Sequence, residues 1–252
     1  MYRGLDPLKS RIPAPPSVIT DAHCHLADFG EEELADFEGM LIAAVSEDVE
    51  GSRRTMELAG RRRGTLAFIG IHPWRAAEAR EEDLRLLESL VPDAAGLGEI
   101  GVDGGHADTM TAQLEVFERQ LRLAREYDKP VNLHCLRAWE KCLDLVLRRD
   151  VRSAVFHWYT GPLDLAERIS GYGFYVSINV AAKVQRRHAE LAAAIPLRSL
   201  LVESDGPYEY RGLRLTPRMI PELLGSISEL RGISRESLES AVAENFHDAF
   251  MG

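Results

Sequence analysis

Ser17-Val18-Ile19-Thr20-Asp21-Ala22-His23-Cys24-His25 runs from an apolar, β-branched stretch directly into alternating polar side chains. Successive side chains on a strand point to opposite faces, so His23 and His25 project from one face and can grip one ion, while Cys24 faces the helix layer as a small core residue. The same arrangement recurs along the chain. Glu99, His134, His157 and Asp205 each stand where another short apolar run gives way to a loop.

Working outward from residues 18–25, further strand-like runs occupy 41–45, 66–71, 96–100, 131–134, 154–157, 174–178 and 200–203. Between them lie segments with helical spacing, clearest over 111–127, where Leu114, Phe117, Leu121 and Ala124 recur at three- and four-residue intervals. Helices are expected also at 49–63, 76–90, 139–149, 163–170, 181–194, 218–230 and 234–250, the last with Ser234 as N-cap after Gly232. Strand and helix alternating eight times predict the α/β class and a (β/α)8 TIM barrel. A chain of 252 residues with 45% hydrophobic content suits one such domain, over 17–252. The polar, proline-bearing residues 1–16 read as an N-terminal arm.

The net charge of −10 argues against broad adhesion to nucleic acid or anionic membranes. No apolar stretch approaches the roughly 20 residues that span a bilayer, and no secretory leader is evident, so a cytoplasmic protein is expected. The sequence does not give an oligomeric state, for which a monomer is the default expectation. Cys24, Cys135 and Cys142 form no even disulfide framework. Arg137, Lys183, Arg186, Arg187, Arg211 and Arg214, on loops after the later strands, are candidates for a locally positive patch facing a substrate.

In a parallel barrel all strand C-termini open on one face, where barrel enzymes build their active sites. His23, His25, Glu99, His134, His157 and Asp205 therefore share one rim. Strand alternation groups Leu201, Glu203 and Asp205 on one face, likewise Val155 with His157 and Leu97 with Glu99. Glu203 should point inward below Asp205 and orient a histidine. Gathering that many imidazoles and carboxylates without a cation is costly, so the set points to a metal-dependent hydrolase.

Asp-Ala-His-Cys-His-Leu (21–26), Gly-Glu-Ile-Gly-Val-Asp (98–103), Leu-His-Cys (133–135), His-Trp-Tyr-Thr-Gly (157–161) and Val-Glu-Ser-Asp-Gly-Pro-Tyr (202–208) resemble, in order, the signature blocks of the TatD family of metal-dependent deoxyribonucleases, within the amidohydrolase superfamily. Thr216-Pro217 and Asn245-Phe246 also fit. The resemblance implies a TIM barrel that removes nucleotides from DNA ends, as a 3′-5′ exonuclease, with two divalent ions, Mg²⁺ or Mn²⁺, Zn²⁺ being the other candidate. It implies that His23, His25 and Asp205 hold one ion, His134 and His157 the other, and that Glu99 bridges them. Asp205 is then the candidate general base, with Glu203 in support. His72, in Gly70-Ile71-His72-Pro73, matches a block near the substrate.

Departures from the family pattern bear on substrate. Leu136 occupies the position where the family commonly has arginine, and Arg137 follows it as the candidate phosphate contact. Trp158 and Tyr159 replace a more usual Cys-Phe pair, placed either to stack on a base or to pack beneath the loop. A metal-activated water attacks carbonyl carbon as well as phosphorus, so an ester or amide hydrolase, an aminoacyl-tRNA deacylase among them, is the alternative. A catalytically silent metal-binding scaffold is the third reading.

Overall fold

Eight parallel strands hydrogen-bond in strict chain order in this computed structural model, which describes residues 18–252. They are β1 (Thr20–Cys24), β2 (Leu41–Ala44), β3 (Thr65–Ile69), β4 (Gly96–Gly101), β5 (Val131–His134), β6 (Ala154–Phe156), β7 (Tyr175–Asn179) and β8 (Leu200–Glu203). The expected arm at 1–16 lies outside the described residues.

The helices that cover the sheet are α1 (Glu31–Leu34), α2 (Val49–Arg61), α3 (Glu81–Leu90), α4 (Met110–Glu126), α5 (Trp139–Arg148), α6 (Leu163–Gly171), α7 (Arg186–Ala194), α8 (Ile220–Arg231) and α9 (Arg235–Phe250). Ser234 caps α9 by accepting from the Ser237 amide at 3.1 Å, as the sequence predicts. Gly232, at φ 63°, ends α8 in the left-handed conformation that glycine adopts without strain.

Two expected helices begin late, each for a local reason. A 3-10 turn, Pro73–Arg75, capped by the His72 ring, immediately precedes the segment expected at 76–90, and α3 starts only at Glu81. The segment at 181–194 opens with the turn Val180–Lys183, because the Asn179 side chain captures the Ala181 amide at 2.7 Å. A short hairpin after β8, β9 (Glu209–Tyr210) with β10 (Leu213–Arg214), has no alternating hydrophobic pattern and was not anticipated.

The edges β1 and β8 close the barrel at their C-terminal ends. Asp205 donates its amide to the His23 carbonyl and His25 to the Gly206 carbonyl, both at 2.9 Å. Below them the buried Asp21 carboxylate accepts from the Ser204 amide at 3.0 Å and from the Ser204 hydroxyl. Burial pushes Asp21 up to about 7, against the hydrogen bonds from Ser204 and His23 that favour its charged form.

Register irregularities on β1 and β4 decide which side chains reach the mouth. Between Asp21 and Cys24, β1 spends three residues against two on β2; between Leu97 and Ile100, β4 does the same against β5. Leu97 and Ile100 consequently both pack in the core between sheet and helices, and the phase flips at Gly98 and Glu99. The expectation that Leu97 and Glu99 share a face is thereby corrected. Gly98 is required there, since a Cβ would lie 2.7 Å from the Asn132 Cβ.

The interior splits lengthwise. At the base, Ala22, Ala43, Val45, Phe68, Val155 and Leu201 pack on Phe246 and Phe250 of α9. Above that layer the inward positions become polar. Among the described residues no helix is long and apolar enough to cross a membrane.

Candidate metal centre

Glu99 stands at the centre of the mouth, and its two oxygens face different groups. Oε2 lies 3.5 Å from His23 Nε2 and 3.4 Å from His25 Nε2. The same two nitrogens lie 3.3 and 3.4 Å from Asp205 Oδ1. Oε1 lies 2.8 Å from His134 Nδ1, 2.9 Å from His157 Nε2 and 3.3 Å from His72 Nε2. The structure thus brings His23, His25, Glu99, His134, His157 and Asp205 together from strands one, four, five, six and eight.

Three of the imidazoles, His23, His134 and His157, are oriented from behind. Asn132 donates its Nδ2 to the Ala22 carbonyl at 2.7 Å, which fixes its Oδ1 as acceptor for the His23 Nδ1–H at 2.8 Å. Glu203 accepts the Trp158 amide at 3.0 Å, the Asn179 amide group at 3.3 Å and the Ser177 hydroxyl. It also stands 3.3 Å from His157 Nδ1, which donates to it. Glu203 therefore acts through His157 as a positioning residue. Asp103 takes Trp74 Nε1–H at 2.6 Å and His134 Nε2–H at 3.2 Å, leaving the Nδ1 lone pair of His134 toward Glu99.

This geometry fits cations. With the rear nitrogens protonated, the front nitrogens of His23, His134 and His157 present lone pairs to carboxylate oxygens, an arrangement that repels unless positive charge lies between. His23 Nε2 is buried and lacks a hydrogen-bond partner. Ligand atoms of His23, His25 and Asp205 all lie within 4.8 Å of one another, as do those of His72, Glu99 and His134.

Ionisation follows the same logic. Burial opposes protonation of His25 and His134, but hydrogen bonds to Asp205 and Glu99 carry His25 up to about 10, and those to Asp103 and Glu99 carry His134 to about 9. Glu99 is held well below the usual carboxylate range, despite its burial, by His72, His157 and His23; Asp205 is also lowered, against its burial, by the facing His23 and His25 imidazoles. The site is a fixed negative cluster that draws protons onto its histidines when nothing else neutralises it.

His72 differs from the others. Its Nδ1 accepts the Trp74 amide at 3.2 Å, so its Nε2 carries the hydrogen and donates to Glu99. Burial pushes it down to about 4, keeping it neutral. It sits where a substrate contact was expected, and it also braces Glu99.

A cavity of about 430 Å³ opens above the cluster. Its walls include Trp74, Leu136, Trp139, Trp158, Tyr208 and Tyr210. Arg137 is exposed and stands outside these walls, so Leu136 occupies the place expected for a phosphate-binding arginine. Tyr159 is fully buried and donates to the Pro162 carbonyl at 2.6 Å beneath the loop; only Trp158 of the pair faces the cavity. The expected positive patch does not form there either. Lys183 pairs with Glu222 at 2.6 Å, Arg186 with Glu190 at 2.9 Å, and Arg214 with Glu33.

Asn132, Asp103, Trp74 and Glu47 belong to the site and escaped the sequence reading. Asn132 carried a readable signal, standing two residues before His134 and so on the same face of β5. Glu47, beyond β2, comes close to His25 and Glu99 only through tertiary packing.

An eight-stranded α/β barrel with this nitrogen and oxygen donor set at its carboxyl mouth defines a class, the metal-dependent hydrolases. Within it, the chain belongs to the family described as TatD related DNase, whose model matches residues 20–251. It is similar to the uncharacterized metal-dependent hydrolase YcfH of Escherichia coli K12, 28% identical over 253 residues that cover 92% of this chain and 95% of the relative. It is 30% identical to the 3′-5′ ssDNA/RNA exonuclease TatD of Cronobacter sakazakii, over 86% of this chain and 88% of that one. The crystal structure of the E. coli K12 TatD homologue YjjV superposes with a TM-score of 0.83 at 26% identity, covering 92% of this chain and 97% of its own.

Proposed function

We propose that this hydrolase cleaves phosphodiester bonds at the 3′ ends of nucleic acid. The reading is supported by one observation above others: the two oxygens of Glu99 face two separate donor sets, the arrangement a pair of ions needs to share one carboxylate. His23, His25 and Asp205 would hold one ion, His134 and His157 the other, and Glu99 would join them. Divalent cations bound there lower the pKa of water and neutralise charge on the phosphoryl oxygens.

The chain's own groups supply the rest. Asp205 is held ionised and reaches the cavity, with Oδ1 turned to the two histidines and Oδ2 left to accept a proton from the attacking water. Glu203 and Asp103 keep His157 and His134 in the tautomers that turn lone pairs inward. His72 Nε2–H holds Glu99 from above.

Asp205→Asn should lower turnover by about 10²–10⁴-fold, the range for a positioned base, with an unchanged circular dichroism spectrum. The assay is release of nucleotides from 3′-labelled single strands with Mg²⁺, Mn²⁺ or Zn²⁺ added to stripped protein. Near-normal rates in the variant remove Asp205 from that role. An aminoacyl ester assayed beside the DNA covers the alternative, which the lack of an arginine among the described residues of the cavity wall favours. Hydrolysis of the ester alone would select it.

A further inference from the structure

All three tryptophans of the chain line the cavity above Glu99, together with Tyr208 and Tyr210, and among the described residues no lysine or arginine lines it. The Trp158 ring meets Tyr210 at 5.2 Å and 73°, and Tyr208 at 6.1 Å and 80°, so the three rings form a corner of nearly perpendicular faces. Tyr208 is 49% exposed, as is Trp74, whose indole is fixed by Asp103 on the His134 side of the mouth.

The corner is built rather than incidental. The Trp158 amide is held by Glu203, the carboxylate that also orients His157, which ties the indole to the metal centre. Arg211 stands over the Tyr210 ring at 5.3 Å, and Gln185 donates to the Tyr210 hydroxyl at 3.4 Å.

Proteins that hold nucleic acid by its backbone spend lysines and arginines on successive phosphates. Around this mouth Lys183 pairs with Glu222, Arg214 with Glu33 and Arg218 with Asp36, Arg211 lies over the Tyr210 ring, and none of the four lines the cavity wall. With a net charge of −10, the cavity wall presents no row of cations to successive phosphates among the described residues. What the cavity offers is flat aromatic surface, in a volume at the lower end of the roughly 300–1,000 Å³ of small-molecule pockets.

Resting on the phosphodiesterase reading above, we infer that the cavity binds one unpaired nucleobase, that of the nucleotide released, in the corner of Trp158, Tyr208 and Tyr210. The strand beyond the scissile linkage is not gripped. Preference is therefore for an unstacked end and not for length, because a base inside a duplex is stacked on its neighbours and has its faces occupied.

Intrinsic fluorescence reports this directly, since every tryptophan faces the cavity. Metal-free protein titrated with deoxyadenosine should show a saturable change, and deoxyribose should give none. Trp158→Ala and, separately, Tyr208→Ala should each weaken deoxyadenosine binding about 5- to 150-fold, the equivalent of ~1–3 kcal/mol per stacked base. Equal responses to both ligands, or unchanged affinity in both variants, overturns the stacking corner. With metal-loaded enzyme, kcat/KM on single strands from dinucleotides to about 20-mers should stay within about threefold between roughly 50 and 200 mM salt. A steep rise with length, or a steep fall with salt, overturns the claim that the backbone is not gripped. If deoxyadenosine binds but no oligonucleotide is cleaved, the nuclease reading fails and the base-binding corner stands.

Discussion

The two ends of the barrel interior are made by the same strands and behave oppositely. At the base, Val155 and Leu201 close on Phe246 and Phe250, with Phe68 and Phe250 ring to ring at 4.9 Å. Two residues further along the same strands stand His157 and Glu203, deep in a cluster of charge. Burial at the base stabilises at about 25 cal/mol per Å² of apolar surface. Burial at the mouth opposes ionisation of every carboxylate there, so the mouth depends on the base to hold it and on cations to relieve it.

Mutations should separate these ends. Phe246→Ala leaves a hole under the barrel and is expected to cost about 3–5 kcal/mol in denaturant unfolding, with kcat per folded molecule kept. If the activity per folded molecule falls in step with stability, base and mouth are not independent. Asp103→Asn removes the negative charge behind His134 while leaving the core intact. It should weaken metal affinity roughly 10–100-fold by calorimetry, with melting of the stripped protein little changed.

A pH series sharpens the contrast further. In the stripped protein His25 and His134 titrate at about 10 and about 9, above their ordinary 6.5. Protonation therefore stabilises the fold fully below about pH 6.5, and this contribution is lost as pH rises through 9 to 10. The Tm of stripped protein should fall over that interval, while the rise in Tm on adding Mn²⁺ grows, because ions displace those protons. A Tm of stripped protein that climbs over the same interval contradicts the assignment. The smallest effect is expected at Arg137→Ala, which lies outside the cavity walls: kcat/KM on oligonucleotides should change by less than about twofold, the scale of an exposed charge.

The fold was legible because each strand announces itself by a short apolar run, and β5 and β8 coincide with the expected 131–134 and 200–203. The polar rim was legible for the same reason, since His134 closes one such run and Asp205 follows another. Three things were hidden. The bulge at Gly98-Glu99 changes phase without any change in composition, so strict alternation put Leu97 on the wrong face. The destinations of Arg137 and Tyr159 depend on loops whose side chains can turn either way until packing decides; Tyr159 found the core and the Pro162 carbonyl. Asp103 was invisible as a partner of His134, and Asn132, though legible on the His134 face, showed no sign of its bond to His23, because both roles exist only across strands.

The central claim is that Glu99 joins two ions in one site. Anomalous diffraction from Mn²⁺-soaked crystals of the wild type and of Glu99→Gln tests it most directly. The account predicts two peaks about 3.5–4 Å apart in the wild type, each beside one Glu99 oxygen, and loss of at least one in the variant. A single ion, or two that make no contact with Glu99, would contradict it.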